Sequence, residues 1–154
     1  MAALEQRKNQ PAISQILVAT DFSSQAEEAL QWALRLREAF GTRLIFLHVI
    51  DIFSLAELSC RAVGGDPLLP MLREEAKNNM QRWQARVPDA KTVIREGSPR
   101  PVIVEAAVEL DCQMIVMGTH GRSGLAHLLL GSVAEYVVRN SKVPVLTVRP
   151  DRGM

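Results

Sequence analysis

The chain has 154 residues, of which 47% are hydrophobic, so it can form one continuous core and is too short for two ordinary domains. Eighteen basic and seventeen acidic residues leave a net charge of +1, which argues against nucleic acid as a partner, because proteins that grip its phosphates carry a basic surface. Without a secretory signal or a membrane-spanning run, we expect a cytoplasmic domain over residues 1–154, with residues 1–12 as a flexible tail and no membrane contact.

The first predicted strand, Gln15–Thr20, is a continuously apolar run, which is typical of a strand buried on both faces of a sheet. Apolar residues at helical spacing follow it. Ser24 and Glu27 form a capping-box pattern in front of this helix, and Gly41 is expected to stop it. A second strand is predicted at Arg43–Ile50.

Residues 51–70 interrupt this pattern and include the turn-forming stretch GGDP at 64–67. We expect a mobile insertion here and consider a lid as its role. The next predicted helix carries Leu72, Ala76, Met80, Trp83 and Val87 on its apolar face and ends before Pro88.

The last third of the chain continues the alternation of strands and helices. Ser98 and Pro99 are expected to open one helix, and Ser132 with Glu135, again in capping-box spacing, to open the last. The strands predicted here are Lys91–Arg95, Gln113–Gly118 and Pro144–Arg149. Such alternation predicts a doubly wound α/β domain with a five-stranded parallel sheet and helices on both faces.

Ligands of such sheets bind at the carboxyl ends of the strands, and the stretch MGTHGRSGLAHLLLGS at 117–132 follows the fourth strand directly. Gly118 and Gly121 would let backbone N–H groups approach phosphate oxygens, and Gly131 with Ser132 would add the unpaired N–H groups of a helix start. Simple turn chemistry and a capping serine are the alternative. Four glycines within fourteen residues favour phosphate binding.

Three further positions at this edge are candidates. Asp21 follows the first strand, where it would either hold the two hydroxyls of a ribose or form an Asx turn that caps the helix, and the two interpretations are equally weighted. His48 is expected to be a buried histidine with a hydrogen-bond partner, whereas the main chain of Val49 would pair with a base edge. His120 and Arg122 would meet negative charge, although solvent exposure is favoured for Arg122.

Several other chemistries lack their motifs. The chain has no Walker-type phosphate loop, no G-x-G-x-x-G after its first strand and no G-x-S-x-G elbow, so no catalytic group is assigned. Three separated histidines do not form a metal site. Cys60 and Cys112 are expected to be reduced, structural thiols.

The segments ILVATDFS, LIFLHVID and MIVMGTHGRSGLAHLLLGSVAEYVVRNSKVPVLTV resemble the universal stress protein family, from about Ile16 to Val148. ATP-binding members of that family carry the pattern G-x2-G-x9-G-[ST]. This sequence is similar to them through Gly118, Gly121, Gly131 and Ser132.

The resemblance implies strand order 3-2-1-4-5, with ATP between the first and fourth strands and any Mg²⁺ held mainly by its phosphates. By this resemblance Asp21 would hold the ribose, Val49 would meet adenine, and Ala19 and Thr20 would border the base. The ribose and phosphates would contact Met117, Gly118, Thr119, His120 and Gly121, and phosphate at the helix start would contact Gly131, Ser132 and Val133. It also implies a homodimer that pairs through Val143–Arg149.

These features predict an ATP-binding stress-response protein that acts as a nucleotide-dependent signalling or regulatory module. One alternative is slow ATP hydrolysis or phosphoryl transfer, with Asp21 or His120 orienting a water molecule. The other alternative is a structural dimer whose glycine-rich loop holds no nucleotide.

Overall fold

A computed structural model describes residues 13–59, 68–120 and 130–149, with the backbone alone for residues 57–59. These residues form five strands and five helices, which alternate except that two helices follow β2. In chain order they are β1 (Gln15–Ala19), α1 (Ser24–Phe40), β2 (Arg43–Asp51), α2 (Ile52–Ser59), α3 (Leu68–Arg86), β3 (Lys91–Gly97), α4 (Pro99–Glu109), β4 (Met114–Gly118), α5 (Ser132–Asn140) and β5 (Val145–Val148).

The strands form one parallel sheet in the order β3-β2-β1-β4-β5. Strand β1 lies at its centre, where Leu17 pairs with Ile45 of β2 and with Ile115 of β4. Helices cover both faces, because each right-handed crossover between parallel strands returns over the sheet. This confirms the predicted doubly wound α/β fold and its strand order.

Successive residues of β1 point into two separate cores. Ile16 and Val18 are fully buried against α1 and α3, in a cluster that includes Leu30 and Trp83. The alternate residue Leu17 is fully buried on the opposite face, in a cluster built from α4 and α5. Burial on both faces explains why the strands read as continuous apolar runs rather than as alternating ones.

Two predicted helix caps are wrong by one residue. Ser23, not Ser24, is the N-cap of α1, and its Oγ accepts a 3.2 Å hydrogen bond from the Ala26 N–H. The N-cap of α5 is Gly131, which has no side chain to cap with, whereas Ser132 is already the first helical residue. Gly41 ends α1 as predicted, in a left-handed conformation with φ of 67°.

The expectation for residues 51–70 needs correction at both ends. Asp51 still belongs to β2, residues 52–59 form α2, and α3 already begins at Leu68. Residues 60–67, with Cys60 and the GGDP stretch, lie outside the described residues. Cys112 is a buried free thiol, and desolvation raises its pKa to about 11, so it stays protonated at neutral pH.

None of the helices described is both long enough and apolar enough to cross a membrane.

Candidate functional site

A cavity of about 560 Å³ opens at the carboxyl edge of the sheet, between the ends of β1, β2 and β4 and the start of α5. Every predicted site residue within the described ranges lines it. These are Ala19, Thr20, Asp21, Val49, Met117, Gly118, Thr119, His120, Gly131, Ser132 and Val133. Gly121, together with Arg122, Gly124 and His127, lies outside the described residues.

The turn after β1 forms one wall of this cavity. The Thr20 N–H donates to the Leu47 carbonyl oxygen at 2.9 Å, so pairing with β2 continues for one residue beyond the strand. The Thr20 hydroxyl then accepts the Phe22 N–H at 2.9 Å. The bond to the Thr20 hydroxyl closes the turn that leads into α1, and the end of β2 lines the cavity beside it.

Asp21 forms the Asx turn that was one of its two interpretations. Its Oδ1 accepts the Ser23 N–H at 3.0 Å, which forms an Asx turn directly before α1. Because Asp21 also lines the cavity, this bond fixes the carboxylate at the cavity wall. Its contact with a ribose stays a prediction.

Phe22 adopts a left-handed conformation with φ of 61°, which is unusual for a bulky residue. Its ring lies 4.6 Å from the His48 ring and 5.8 Å, edge-on, from the Trp83 ring, measured between centroids. Such strain persists only where the surroundings enforce it. The aromatic contacts and the bond to Thr20 supply that constraint.

His48 has the hydrogen-bond partner that was expected. Its Nδ1 lies 2.7 Å from the Thr20 carbonyl oxygen. A carbonyl oxygen only accepts, so Nδ1 carries the proton and donates to it. The imidazole therefore ties β2 to the turn after β1, and it also lines the cavity.

Gly118 has a packing role that the sequence did not indicate. A Cβ at this position would lie 3.0 Å from Cβ and 3.1 Å from the carbonyl carbon of Gln25, at the start of α1. The Gln25 side chain in turn accepts the His120 N–H through Oε1 at 2.8 Å. The missing side chain thus lets α1 approach the end of β4.

The Gly131 N–H is not an unpaired donor, which corrects one part of the phosphate-loop prediction. It donates to the Thr119 carbonyl oxygen at 2.7 Å and so joins the start of α5 to the end of β4. A Cβ on Gly131 would lie 3.0 Å from that same oxygen. The following amides, those of Ser132 and Val133, belong to the first helical turn and have no intrahelical acceptor.

The sequence did not predict the part of the lining that comes from α2, α3 and α4. These residues are Leu55, Leu72, Glu75, Ala76, Asn79, Pro99 and Ile103. Leu72 and Ala76 had been assigned to the apolar face of a helix, and that face covers both the core and the cavity. Arg73 anchors this end of α3, because its guanidinium donates to both carboxylate oxygens of Glu96 in β3, at 2.6 and 3.0 Å.

Acidic side chains line the cavity through Asp21, Asp51 and Glu75, whereas the described part of the lining contains no lysine or arginine. The described residues also hold no group of three His, Cys, Asp or Glu side chains that would bind a metal ion. The main-chain amides at the start of α5 are available to a phosphate in this cavity.

The sequence model of the universal stress protein family matches residues 12–149, which is most of the chain. The chain belongs to the universal stress protein family. It is 36% identical to the universal stress protein MJ0577 of Methanocaldococcus jannaschii over 155 residues, which covers 87% of this chain and 93% of that protein.

Solved structures of the family have the same fold. The MJ0577 structure superposes with a TM-score of 0.80 at 34% identity, over 92% of this chain and 99% of that one. UspA from Lactobacillus plantarum gives 0.72 at 27% identity, over 91% and 100% of the two chains. A universal stress protein in complex with cAMP gives 0.66 at 24% identity, over 89% and 97%.

Proposed function

We propose that this universal stress protein binds ATP, accompanied by Mg²⁺, in the cavity at the carboxyl edge of its sheet. Nucleotide occupancy would then regulate partner proteins in a stress response. The observation that carries the proposal is the convergence of the ends of β1 and β4 and the first turn of α5 on one cavity of about 560 Å³. That volume falls within the range of small-molecule sites, roughly 300–1,000 Å³.

The base would lie against the end of β2. The Leu47 carbonyl oxygen points toward β1, because it accepts the Thr20 N–H. Main-chain groups alternate in direction along a strand, so the N–H and C=O of Val49 point to the same side of β2 as the Leu47 carbonyl oxygen. The pairing of β1 with β2 ends at Leu47, so β1 does not occupy these two groups. They present one donor and one acceptor to a base edge, and the apolar wall of Leu72 and Ala76 supports its ring.

The ribose and phosphates would follow toward α5. Asp21, held by its Asx turn, accepts hydrogen bonds from the ribose hydroxyls. The amides of Ser132 and Val133, at the positive end of the α5 dipole, donate to phosphate oxygens. Mg²⁺ would bind mainly to the phosphates, since the described residues offer no carboxylate cluster for it.

The relative in complex with cAMP has the same fold, but at 24% identity it supports only the fold assignment. The support for ATP binding by this chain therefore comes from its own cavity, and the binding must be tested directly. Native mass spectrometry of the freshly purified protein should detect bound adenine nucleotide, and calorimetry with Mg-ATP should give saturable binding of one nucleotide per chain. No binding at millimolar ATP would overturn the proposal.

A pair of variants at Ser132 tests whether the backbone holds the phosphate. Ser132→Asp places a carboxylate in the first turn of α5, where it favours the helix but repels phosphate, so ATP binding should be lost in a stable protein. Ser132→Ala keeps the amide and should bind ATP within about threefold of the wild type. Chromatographic measurement of ADP in the same samples tests the alternative of slow hydrolysis.

We further propose that two chains pair through residues 143–149. Strand β5 is at the edge of the sheet and pairs only with β4 among the described strands. An edge strand presents a row of N–H and C=O groups that a second strand can bind. Antiparallel pairing of two β5 strands satisfies both rows and gives a closed two-fold dimer.

A further inference from the structure

A second cavity of about 340 Å³ adjoins the first at the start of α5. Ser132 and Val133 line both cavities, as do Asp51, Ser54 and Pro99, so the first turn of α5 forms part of the boundary between them. The starts of two other helices, α2 and α4, also face this smaller cavity. Its lining consists of Asp51, Phe53, Ser54, Ser98, Pro99, Arg100, Ser132 and Val133.

Arg100 is the one lysine or arginine that lines either cavity within the described part of the chain. It lies in the first turn of α4 and is exposed. Its guanidinium forms no ion pair with a described carboxylate, in contrast to those of Arg73 and Arg95, which pair with Glu96 and Glu109. A cationic group therefore lines the smaller cavity.

The acidic side chain in the described part of this lining, that of Asp51, is already engaged. Oδ1 of Asp51 accepts the N–H groups of Phe53 and Ser54, each at 3.1 Å, and its Oδ2 accepts the Ser54 hydroxyl at 2.7 Å. The carboxylate thus caps α2 rather than pairing with Arg100. Its negative charge is partly offset by these donors.

We propose, on the basis of the nucleotide binding proposed above, that Arg100 binds the terminal phosphate and makes the site prefer ATP over AMP. Asp21 and Val49 line the large cavity only, Ser132 and Val133 line both cavities, and Arg100 lines the smaller cavity only. A phosphate chain that starts at the ribose reaches Arg100 only with its outer phosphates. A guanidinium donates two parallel hydrogen bonds to phosphate, and this suits the role.

Calorimetry with AMP, ADP and ATP on the wild type and on Arg100→Gln tests this assignment. The variant should bind ATP about three- to tenfold more weakly, as expected for the loss of an exposed charge-assisted contact, and AMP within about twofold of the wild type. Arg100→Lys should recover part of the ATP affinity. Arg35→Gln is the matched control, because it removes the same charge from the exposed face of α1, where Arg35 lies over Trp32, and it should change neither affinity.

The remaining outcomes distinguish a failure of the Arg100 assignment from a failure of the proposed nucleotide site. An equal loss of ATP and AMP affinity in Arg100→Gln, or no loss of either, would overturn the role of Arg100 while the nucleotide site stands. A wild-type protein that binds none of the three nucleotides would overturn the proposed function and this inference together.

Discussion

The Gly131 N–H donates a 2.7 Å hydrogen bond to the Thr119 carbonyl oxygen, and this bond fixes the start of α5 against the end of β4. Gly131 has φ of −70° and ψ of 162°, a conformation open to any residue. The need for glycine here is therefore steric, because a Cβ would lie 3.0 Å from the Thr119 oxygen.

Gly131→Ala should displace the start of α5 and weaken ATP binding by at least about tenfold, with a loss of stability of about 1–3 kcal/mol from overpacking. Calorimetry and urea unfolding measure the two effects. Gly41→Ala is the control: its Cβ meets no atom within 4 Å, but φ of 67° is strained for alanine. It should lose about 1–2 kcal/mol of stability and keep its ATP affinity.

Substitutions at Asp21 separate its role in the Asx turn from its proposed ribose contact. Asp21→Asn keeps an oxygen that accepts the Ser23 N–H, so stability should change little, whereas Asp21→Ala loses the Asx turn and about 1 kcal/mol. Both should bind ATP more weakly, and both should lose the preference of the wild type for ATP over 2′-deoxy-ATP. An unchanged preference in Asp21→Asn would mean that the carboxylate only forms the Asx turn.

The ion pair between Glu27 and Arg86 joins α1 to α3, with 2.6 Å between Oε1 and Nη2. The hydrogen bond from Arg86 holds the pKa of Glu27 below its usual value. Because the pKa of Glu27 is lower in the folded protein than in the unfolded chain, the ion pair stabilises the fold at pH values above the unfolded-state pKa. This stabilisation is lost as the pH falls through the folded-state pKa. Both side chains are about two-fifths exposed, which limits the effect to about 1 kcal/mol.

Glu27→Gln should therefore be less stable than the wild type by up to about 1 kcal/mol at pH 7, and the difference should shrink as the pH falls below the ordinary glutamate pKa of about 4.3 and disappear once Glu27 is protonated in the folded protein as well. Urea unfolding across this range measures it. Glu28→Gln removes the same charge from the neighbouring position, which forms no ion pair with a described residue, and it serves as the control. A difference that grows toward low pH would contradict the assignment.

The fold was predictable because each strand and most helices carry a local signal. Burial on both faces makes the strands continuously apolar, and their alternation with helices dictates a parallel sheet. The cap of α1 was misassigned by one residue because Ser23 and Ser24 have the same chemistry. The cap of α5 was misassigned by one residue because Gly131 has no side chain and the serine follows it. The turn at Asp21 and Phe22, built from bonds to Thr20 and Asp21 itself, decides which hydroxyl caps the helix.

Site residues could be predicted only where they are glycines or where they directly follow a predicted strand. The role of Gly118 depends on Gln25, more than ninety residues earlier in the chain, and no local pattern encodes that contact. The wall of Leu72, Ala76 and Asn79 was missed for a related reason. An apolar helical face predicts burial, but it does not distinguish burial in a core from the lining of a cavity.

The register of β5 makes a test of the proposed dimer possible without disturbing the sheet. The carbonyl oxygens of Pro144 and Val148 accept N–H groups of Ile115 and Thr119, so these residues face β4. Main-chain direction alternates, and the N–H of Thr147 therefore points away from β4. Thr147→Pro removes one outward donor and leaves the pairing with β4 in place.

Light scattering after gel filtration should give a dimer mass for the wild type and for Thr147→Ala, which keeps the donor. Thr147→Pro should shift the mass toward the monomer, because two-fold symmetry repeats the substitution and each dimer loses two hydrogen bonds. The circular dichroism spectrum should stay unchanged. A wild-type monomer, or a Thr147→Pro dimer as stable as that of Thr147→Ala, would mean that β5 is not the interface.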